Sequence, residues 1–257
     1  MRRPRILFAV LSAMRSGSNN LQDALSEHPE IHCAGEIFNP SHVQLGDRLY
    51  LEERARGQVR GGAARVLFAL ARQTKRRFPR AVLRMARGPD KPVFGFRLFG
   101  DHIAYFELDP FLDELRAGGA RFVHLLRRDT FAQAVSLVRA QTTGVWKLPG
   151  GAAAPAEPFD VLAAAERIGA AARALHAHKL TAARTARRCE ALLVTYEDDV
   201  VGGRSYDRIQ TFLDVRRRVV LRDANAKLPA ADADACQELR EDLVRRGVPV
   251  WFDPEHA

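Results

Sequence analysis

The stretch that most constrains the fold of this 257-residue chain is ILFAVLSAMRSGSNNL, residues 6–21. A short apolar run leads into a turn of small residues, and the turn leads directly into a helical pattern. Strand–turn–helix units of this kind bind anions, because the start of the helix directs free N–H groups at the ligand. Gly17 lets the backbone approach an anion closely, and Arg15 adds a charged fork of donors. The sequence therefore predicts a phosphate-binding turn after the first strand.

This turn differs from the P-loop of ATPases and GTPases, whose pattern is G-x-x-x-x-G-K-[ST]. Ser12 stands at the position of the first glycine, and no Lys-Ser/Thr pair follows Gly17. That lysine and hydroxyl hold the phosphates and Mg²⁺ in a P-loop. The pattern argues against ATP hydrolysis and for a nucleotide bound without a metal.

Composition indicates a packed domain in a reducing compartment. Hydrophobic residues make up 47% of the chain, and Cys33, Cys189 and Cys236 lack the spacing of metal ligands. Because their number is odd, we expect reduced thiols and no disulfide framework. Residues 1–14 resemble a signal peptide only superficially, and we interpret them as a buried first strand. We predict one cytoplasmic domain over residues 1–257, since no stretch approaches the ~20 apolar residues of a membrane span.

The net charge of +9 is concentrated in one segment. Residues 54–91 contain twelve Lys/Arg and one acidic residue, and apolar residues recur among them at helical spacing. We expect a basic helical insertion, or lid, over residues 41–91 that can contact an anionic membrane. Its few aromatic residues argue against specific nucleic-acid binding. A solvated arginine-rich face is the competing interpretation.

Alternating strand and helix patterns predict a P-loop-like α/β fold, with a parallel β-sheet flanked by helices on both faces. The predicted strands are 5–11, 93–99, 121–129 and 189–199, with an extended piece at 28–40 and a strand-like segment at 217–221. The predicted helices are 19–28, 109–119, 130–144, 159–188 and 204–214, with a polar helix at the C-terminus. Thr130 and Gln133 form a capping-box pattern at the start of the 130–144 helix.

Three groups of polar residues follow strands of this predicted sheet. The turn at Arg15 follows the first strand, Arg128 ends a later strand, and Tyr196 lies at the end of another. Ser136 and Arg139 lie on the helix after Arg128, where we interpret Arg139 as exposed. Parallel strands point their carboxyl ends to one edge, so these groups are expected in one cleft. Two phosphate-binding clusters suit a ligand that is phosphorylated at two places.

With these residues in this order, the chain resembles the sulfotransferases that depend on 3′-phosphoadenosine 5′-phosphosulfate (PAPS), particularly the bacterial Stf0-like carbohydrate branch. In that family an R/K-S-G-[ST]-[ST] turn binds the 5′-phosphosulfate, and an Arg-(seven residues)-Ser element binds the 3′-phosphate. The resemblance assigns the first role to Arg15, Ser16, Gly17, Ser18 and Asn19, and the second to Arg128 and Ser136. It also places Tyr196, in LLVTYEDD, near the nucleotide. Asn20 departs from the family pattern, because many cytosolic members have an adenine-stacking tryptophan there.

The resemblance implies direct, in-line transfer of a sulfuryl group from PAPS to a hydroxyl of a carbohydrate or glycolipid, without a metal or a covalent intermediate. Glu36, in the Gly-Glu-Ile-Phe context of residues 35–38, is the preferred general base. His102, expected in a loop, is the rival base. Arg15 is expected to stabilise the leaving phosphate, and Arg97 to assist it if its side chain points into the cleft.

Two other classes of function stay open at this point. A P-loop-type nucleotide-dependent kinase predicts Mg²⁺ dependence, with Asp129 as the candidate ligand. A noncatalytic protein that binds polyanions or membranes through residues 54–91 predicts no change in melting temperature with adenosine 3′,5′-bisphosphate (PAP). It also predicts normal function after Glu36→Ala. We expect no chemical role for His32 or His124.

Overall fold

The computed structural model of the chain describes residues 6–39, 79–80, 83, 91–146, 159–201, 205–218 and 232–254. Its strands are β1 (Ile6–Ser12), β2 (Ile31–Cys33), β3 (Val93–Phe99), β4 (Arg121–Leu126) and β5 (Leu192–Thr195). The described α-helices are α1 (Ser18–Ser26), α2 (Gly100–Phe106), α3 (Asp109–Ala117), α4 (Thr130–Thr143), α5 (Ala165–Arg188), α6 (Ser205–Phe212) and α7 (Ala233–Arg245). A short π-helix spans Tyr196–Val200.

The five strands form one parallel sheet in the order β2-β3-β1-β4-β5. β1 lies at the centre, and its Phe8 pairs with Gly95 of β3 and Arg121 of β4. Gly95 is required at this position, because a Cβ there would lie 2.1 Å from the Phe8 ring. The carboxyl ends of the strands therefore meet at one edge, and the predicted P-loop-like α/β fold is confirmed.

Helices cover both faces of the sheet, as the sequence predicts. On one face, α2, α3 and the end of α5 pack around Phe96 and Leu98 of β3. On the other, α1 and α6 pack around Phe8 and Val10 of β1. A third cluster joins α4, α5 and α7, with Leu175 of α5 fully buried inside it. Both faces of the sheet are thus apolar, as expected for parallel strands buried on two sides.

The prediction of one strand over 189–199 is wrong in its second half. β5 ends at Thr195, and the π-helix follows at once. The carboxylate of Asp199 accepts hydrogen bonds from the Thr195 backbone N–H at 2.8 Å and from its hydroxyl at 3.3 Å. Burial would raise the pKa of Asp199, but these bonds and one from Arg208 lower it. The strand therefore ends at Thr195, because the Asp199 side chain bonds to the Thr195 backbone and stabilises the helical turn that follows.

One prediction about a helix start also needs correction, and one helix has no counterpart among the predicted elements. The N-cap of α4 is Asp129, whose carboxylate accepts from the Ala132 N–H at 2.9 Å, so the predicted Thr130–Gln133 capping box does not form. The Gln133 side chain instead donates to the Met14 carbonyl. Helix α2 was not predicted at all, because it begins directly at the end of β3 with no polar linker.

The predicted basic lid over 41–91 lies outside the described residues, apart from residues 79–80, 83 and 91. The end of the strand-like segment at 217–221 also lies outside them. Within the described part of the chain, no helix combines the length and the apolar character needed to cross a membrane. Cys33 and Cys189 are buried, Cys236 is partly buried, and all three are free thiols.

Candidate active site

The turn after β1 contains two residues in the left-handed region, Arg15 with φ 60° and Gly17 with φ 87°. A side chain at Gly17 would collide with the ring of Tyr196, since an added Cβ would lie 2.7 Å from its Cδ2. Ser16 is 1% exposed, and its hydroxyl has no hydrogen-bond partner among the described residues. The turn is thus tightly folded yet keeps a buried polar group available, as an anion-binding turn needs.

The left-handed backbone of Arg15 is stabilised by Arg127, the residue that directly follows β4. Arg127 donates to the Arg15 carbonyl at 3.1 Å, and its guanidinium lies 4.6 Å from the centroid of the Tyr196 ring. Sequence reasoning missed Arg127, although its position next to Arg128 at a strand end was a visible signal. The Gln133 amide supports the preceding carbonyl, that of Met14. Side chains from the end of β4 and the start of α4 therefore bind two successive carbonyls of the turn.

The side chain of Arg15 brings the turn together with helix α4. Its Nε donates to the Ser136 hydroxyl at 3.1 Å, and its Nη1 donates to the Trp146 carbonyl at 2.7 Å. Burial and the neighbouring charge of Arg127 lower the pKa of Arg15, and Tyr196 opposes them. An arginine nevertheless stays protonated at any physiological pH. Two of the sequence-predicted phosphate elements, 121 residues apart, are in direct contact.

Arg128 lies on a backbone segment that Glu197 holds in place. The two oxygens of this carboxylate accept the N–H groups of Arg128 at 3.2 Å and of Asp129 at 3.1 Å. The Arg128 guanidinium is about one-third exposed and forms an ion pair with Asp198 at 3.1 Å. Beside it is a cavity of about 410 Å³, whose lining includes Thr195 and Arg208. Arg128 therefore borders open space at the sheet edge, with a fixed backbone.

Arg97 joins the candidate base to the turn. It is 6% exposed, and its Nη1 donates to the Ser18 hydroxyl at 2.9 Å and to the Asn19 side-chain oxygen. Its Nη2 lies 3.3 Å from Glu36 Oε1, while Asn39 donates to Glu36 Oε2 at 2.8 Å. The side chain of Arg97 thus points towards the turn, and not to the surface. The Glu36 carboxylate is 19% exposed and is connected through Arg97 to the turn after β1.

His102 is buried on helix α2, so the expectation of a surface loop is wrong. It is 1% exposed, its ring stacks on Phe99 with centroids 4.9 Å apart, and its Nδ1 accepts from the Phe99 N–H at 3.4 Å. Burial lowers the pKa of His102, while the charges of Asp101 and Glu36 oppose that shift. The imidazole is therefore neutral and enclosed, whereas Glu36 retains some exposure. Between the two candidate bases, the geometry favours Glu36.

Other predicted residues have structural contacts. Arg139 is 6% exposed, so its interpretation as a surface arginine is wrong. Asn20 accepts a hydrogen bond from the Tyr206 hydroxyl at 3.0 Å, which ties α1 to α6. Tyr196 packs against Gly17 under the turn. Burial lowers the pKa of His124 to about 4, as suits a histidine inside a strand.

Both oxygens of the Asp129 carboxylate are engaged. One caps α4 through Ala132, and the other lies 3.3 Å from Arg240 of α7. This arrangement disfavours Asp129 as the magnesium ligand of a kinase. Among the residues that the structure describes, no group of three or more His, Cys, Asp or Glu side chains is arranged as metal ligands.

A family model described as Stf0 sulphotransferase matches residues 8–186, which include the turn, Glu36, Arg97, Arg128 and Ser136. The chain belongs to the Stf0 sulphotransferase family. The matched range ends within helix α5, so the last part of the sheet and the C-terminal helices lie beyond it.

Relatives of this Stf0-family chain are distant. It is 27% identical to Nodulation protein H of Rhizobium meliloti (strain 1021) over 155 residues, which are 59% of this chain and 54% of that protein. The chain thus spans about half the length of the curated relative it matches. Among solved structures, the sulfotransferase from Alicyclobacillus acidocaldarius matches at 16% identity, with a TM-score of 0.48 over 97% of this chain and 93% of that one. The sulfotransferase domain from the curacin biosynthetic pathway matches at 14% identity, with a TM-score of 0.46 over 98% and 93% of the two chains.

Proposed function

We propose that this chain transfers the sulfuryl group of PAPS to a hydroxyl of a carbohydrate or glycolipid by direct, in-line displacement. The contact of 3.1 Å between Arg15 Nε and Ser136 Oγ carries this proposal. It joins the turn after β1 to the helix after Arg128, so one ligand with phosphates at two places can touch both. Membership of the Stf0 sulphotransferase family supports the same ligand.

The residues of the turn fit an anionic group. The buried Ser16 hydroxyl has no partner among the described residues, and Gly17, in the left-handed region, adds no side chain of its own to the turn. We assign the 5′-phosphosulfate to Arg15, Ser16, Gly17, Ser18 and Asn19. We assign the 3′-phosphate to Arg128 and Ser136, with Tyr196 nearby. Bound PAPS supplies a sulfuryl group whose bond to a 5′-phosphate oxygen breaks as the acceptor oxygen bonds to sulfur.

In this proposal Glu36 is the general base. Its carboxylate takes the proton of the acceptor hydroxyl, so that the oxygen lone pair can form the new bond. Arg97 Nη2 lies 3.3 Å from Glu36 Oε1, and Arg97 Nη1 donates to the Ser18 hydroxyl at 2.9 Å. One side chain therefore fixes the position of the base relative to the site of the sulfuryl donor. Arg15 stabilises the negative charge that develops on the departing phosphate.

The acceptor is proposed to approach from the side of residues 41–91, which we propose as a basic lid able to contact an anionic membrane. The three free thiols support a cytoplasmic setting. A single domain over residues 1–257 remains part of this proposal.

The test is an assay with radiolabelled PAPS in EDTA, using soluble saccharides and glycolipid vesicles as acceptors. The wild type is expected to label at least one acceptor, and Glu36→Gln to lower kcat by at least about 100-fold. PAP affinity should stay within about twofold of wild type, because Glu36 is assigned to the acceptor side. Glu27→Gln, at an exposed glutamate beyond the end of α1, is the matched control and should behave as wild type.

Three results would contradict the proposal, and they come from that assay, from a parallel assay with ATP and Mg²⁺ without EDTA, and from calorimetry with PAP. Full activity of Glu36→Gln would remove Glu36 as the base. Transfer from ATP and Mg²⁺ in place of PAPS would favour a kinase. Absence of any PAP binding by the wild type would favour the noncatalytic polyanion-binding alternative.

A further inference from the structure

Lys179 of α5 is a lysine buried behind the proposed 3′-phosphate site. It is 2% exposed, which is rare for a lysine. Its amine donates to the Thr130 hydroxyl at 2.8 Å and lies 5.7 Å from the centroid of the Phe252 ring. The Thr130 hydroxyl is its one hydrogen-bond partner among the described residues. A buried ammonium with so few partners is costly, so this position invites a functional explanation.

A short chain of hydrogen bonds links Lys179 to Arg128. The Thr130 hydroxyl, which accepts from Lys179, donates to the Arg128 carbonyl at 3.4 Å. The Phe252 N–H donates to the same carbonyl at 3.0 Å, and Glu197 accepts the Arg128 N–H at 3.2 Å. Both the N–H and the carbonyl of Arg128 are therefore hydrogen-bonded, and Lys179 supports the bond to the carbonyl through Thr130.

The charge state of Lys179 depends on four neighbouring groups and on burial. Burial is the largest influence, and with the charge of Arg127 it lowers the pKa of Lys179 to about 7. The carboxylates of Glu197 and Asp129 act in the opposite direction. His176, one turn earlier on α5, has its own pKa lowered by burial and by Lys179. At neutral pH the amine is thus poised between its two forms, close to a phosphate-binding segment.

We propose that Lys179 is a positioning residue that takes up a proton when a nucleotide with a 3′-phosphate binds at Arg128. The inference rests on the proposed function of the Arg128 site. A dianionic phosphate at the sheet edge stabilises the ammonium form, and the solvent supplies the proton. The charged amine then holds Thr130, and through it the Arg128 carbonyl, in the binding geometry. Nucleotide affinity consequently falls as the pH rises above neutrality.

Titration calorimetry at pH 8 in buffers of different ionisation enthalpy measures this proton uptake. At that pH the 3′-phosphate is itself almost fully ionised, since its second pKa is about 6. PAP binding to the wild type should take up a fraction of a proton, whereas adenosine 5′-monophosphate (AMP), which lacks the 3′-phosphate, should take up much less. Lys179→Met should bind PAP about fivefold more weakly near pH 7, with no uptake and a flatter pH profile.

Two control variants separate positioning from general destabilisation. Arg188→Met removes another cation of α5, whose guanidinium pairs with Asp109 at 2.6 Å and with Asp113 at 2.7 Å, and should keep wild-type proton uptake. Lys179→Arg keeps a permanent charge and should bind PAP without uptake. Equal uptake by wild type and Lys179→Met, or equal uptake with PAP and AMP, overturns the inference.

The wild-type comparison of PAP with AMP decides the matter even if Lys179→Met does not fold. Failure of the proposed function gives a different result, because the wild type would then bind no PAP at all. PAP binding without 3′-phosphate-dependent proton uptake removes only the role of Lys179.

Discussion

The candidate site depends most strongly on the left-handed backbone of Arg15 and Gly17. A non-glycine residue with positive φ is uncommon, and Arg15 retains this conformation because Arg127 holds its carbonyl. Gly17 has a further constraint, since the Tyr196 ring occupies the space of a Cβ. Backbone strain and close packing therefore coincide where we propose that the 5′-phosphosulfate binds.

We predict that Gly17→Ala lowers PAP affinity by at least about tenfold and stability by about 2 kcal/mol, because it combines strain with a collision. Gly119→Ala is the matched control. Gly119 has a similar φ of 82°, but a Cβ there would meet nothing within 4 Å. It should lose about 1 kcal/mol of stability and keep wild-type affinity. Calorimetry and urea unfolding measure both effects, and normal PAP binding by Gly17→Ala would contradict the assignment of the turn.

Single residues also show which features of the site can be predicted from the sequence and which cannot. The turn from Arg15 to Asn19 was recognisable, because its small residues stand between an apolar run and a helical pattern. The orientation of Arg97 was not, since strands buried on both faces show no clear alternation. His102 was misplaced because no polar linker separates β3 from α2, so the helix start left no local signal.

Among the elements, the π-helix after β5 connects the sheet edge to the start of α4. Its Glu197 accepts two successive backbone N–H groups, those of Arg128 and Asp129. The carboxylate thereby satisfies donors that precede helix α4 and holds the backbone of Arg128. The family resemblance places the YEDD segment near the nucleotide, whereas the sequence pattern predicted this segment as part of a strand. The hydrogen bonds from Thr195 to the Asp199 carboxylate span only four residues, but strand propensity does not reveal them because they depend on where the Asp199 side chain points.

We predict that Glu197→Ala lowers stability by about 2 kcal/mol and PAP affinity about fivefold, because two partly buried N–H groups lose their acceptor. Glu197→Gln keeps one acceptor oxygen and should show about half of each effect. Glu238→Gln, at an exposed glutamate on α7, controls for the change in charge. Urea unfolding and PAP calorimetry make the comparison. Wild-type stability of Glu197→Ala would show that Glu197 does not fix the segment.

At the scale of the whole molecule, the parallel sheet gathers distant parts of the chain. The turn after β1, Glu36 after β2, Arg97 of β3 and Arg128 after β4 all lie near the carboxyl edge. The strand–helix alternation predicted this architecture, and the rule about strand ends predicted one cleft. What the sequence could not provide are the contacts between elements, such as Arg127 behind Arg15 and Lys179 behind Arg128. These depend on packing rather than on local pattern.

The central claim is that the turn and the Arg128–Ser136 element form one site for a nucleotide with two phosphates. Calorimetry in EDTA with PAP and with AMP, on the wild type and Arg128→Ala, tests it most directly. We predict that Arg128→Ala weakens PAP binding by at least about tenfold and leaves AMP binding unchanged, because AMP has no 3′-phosphate to lose. Equal effects on the two ligands, or no PAP binding by the wild type, would contradict the claim.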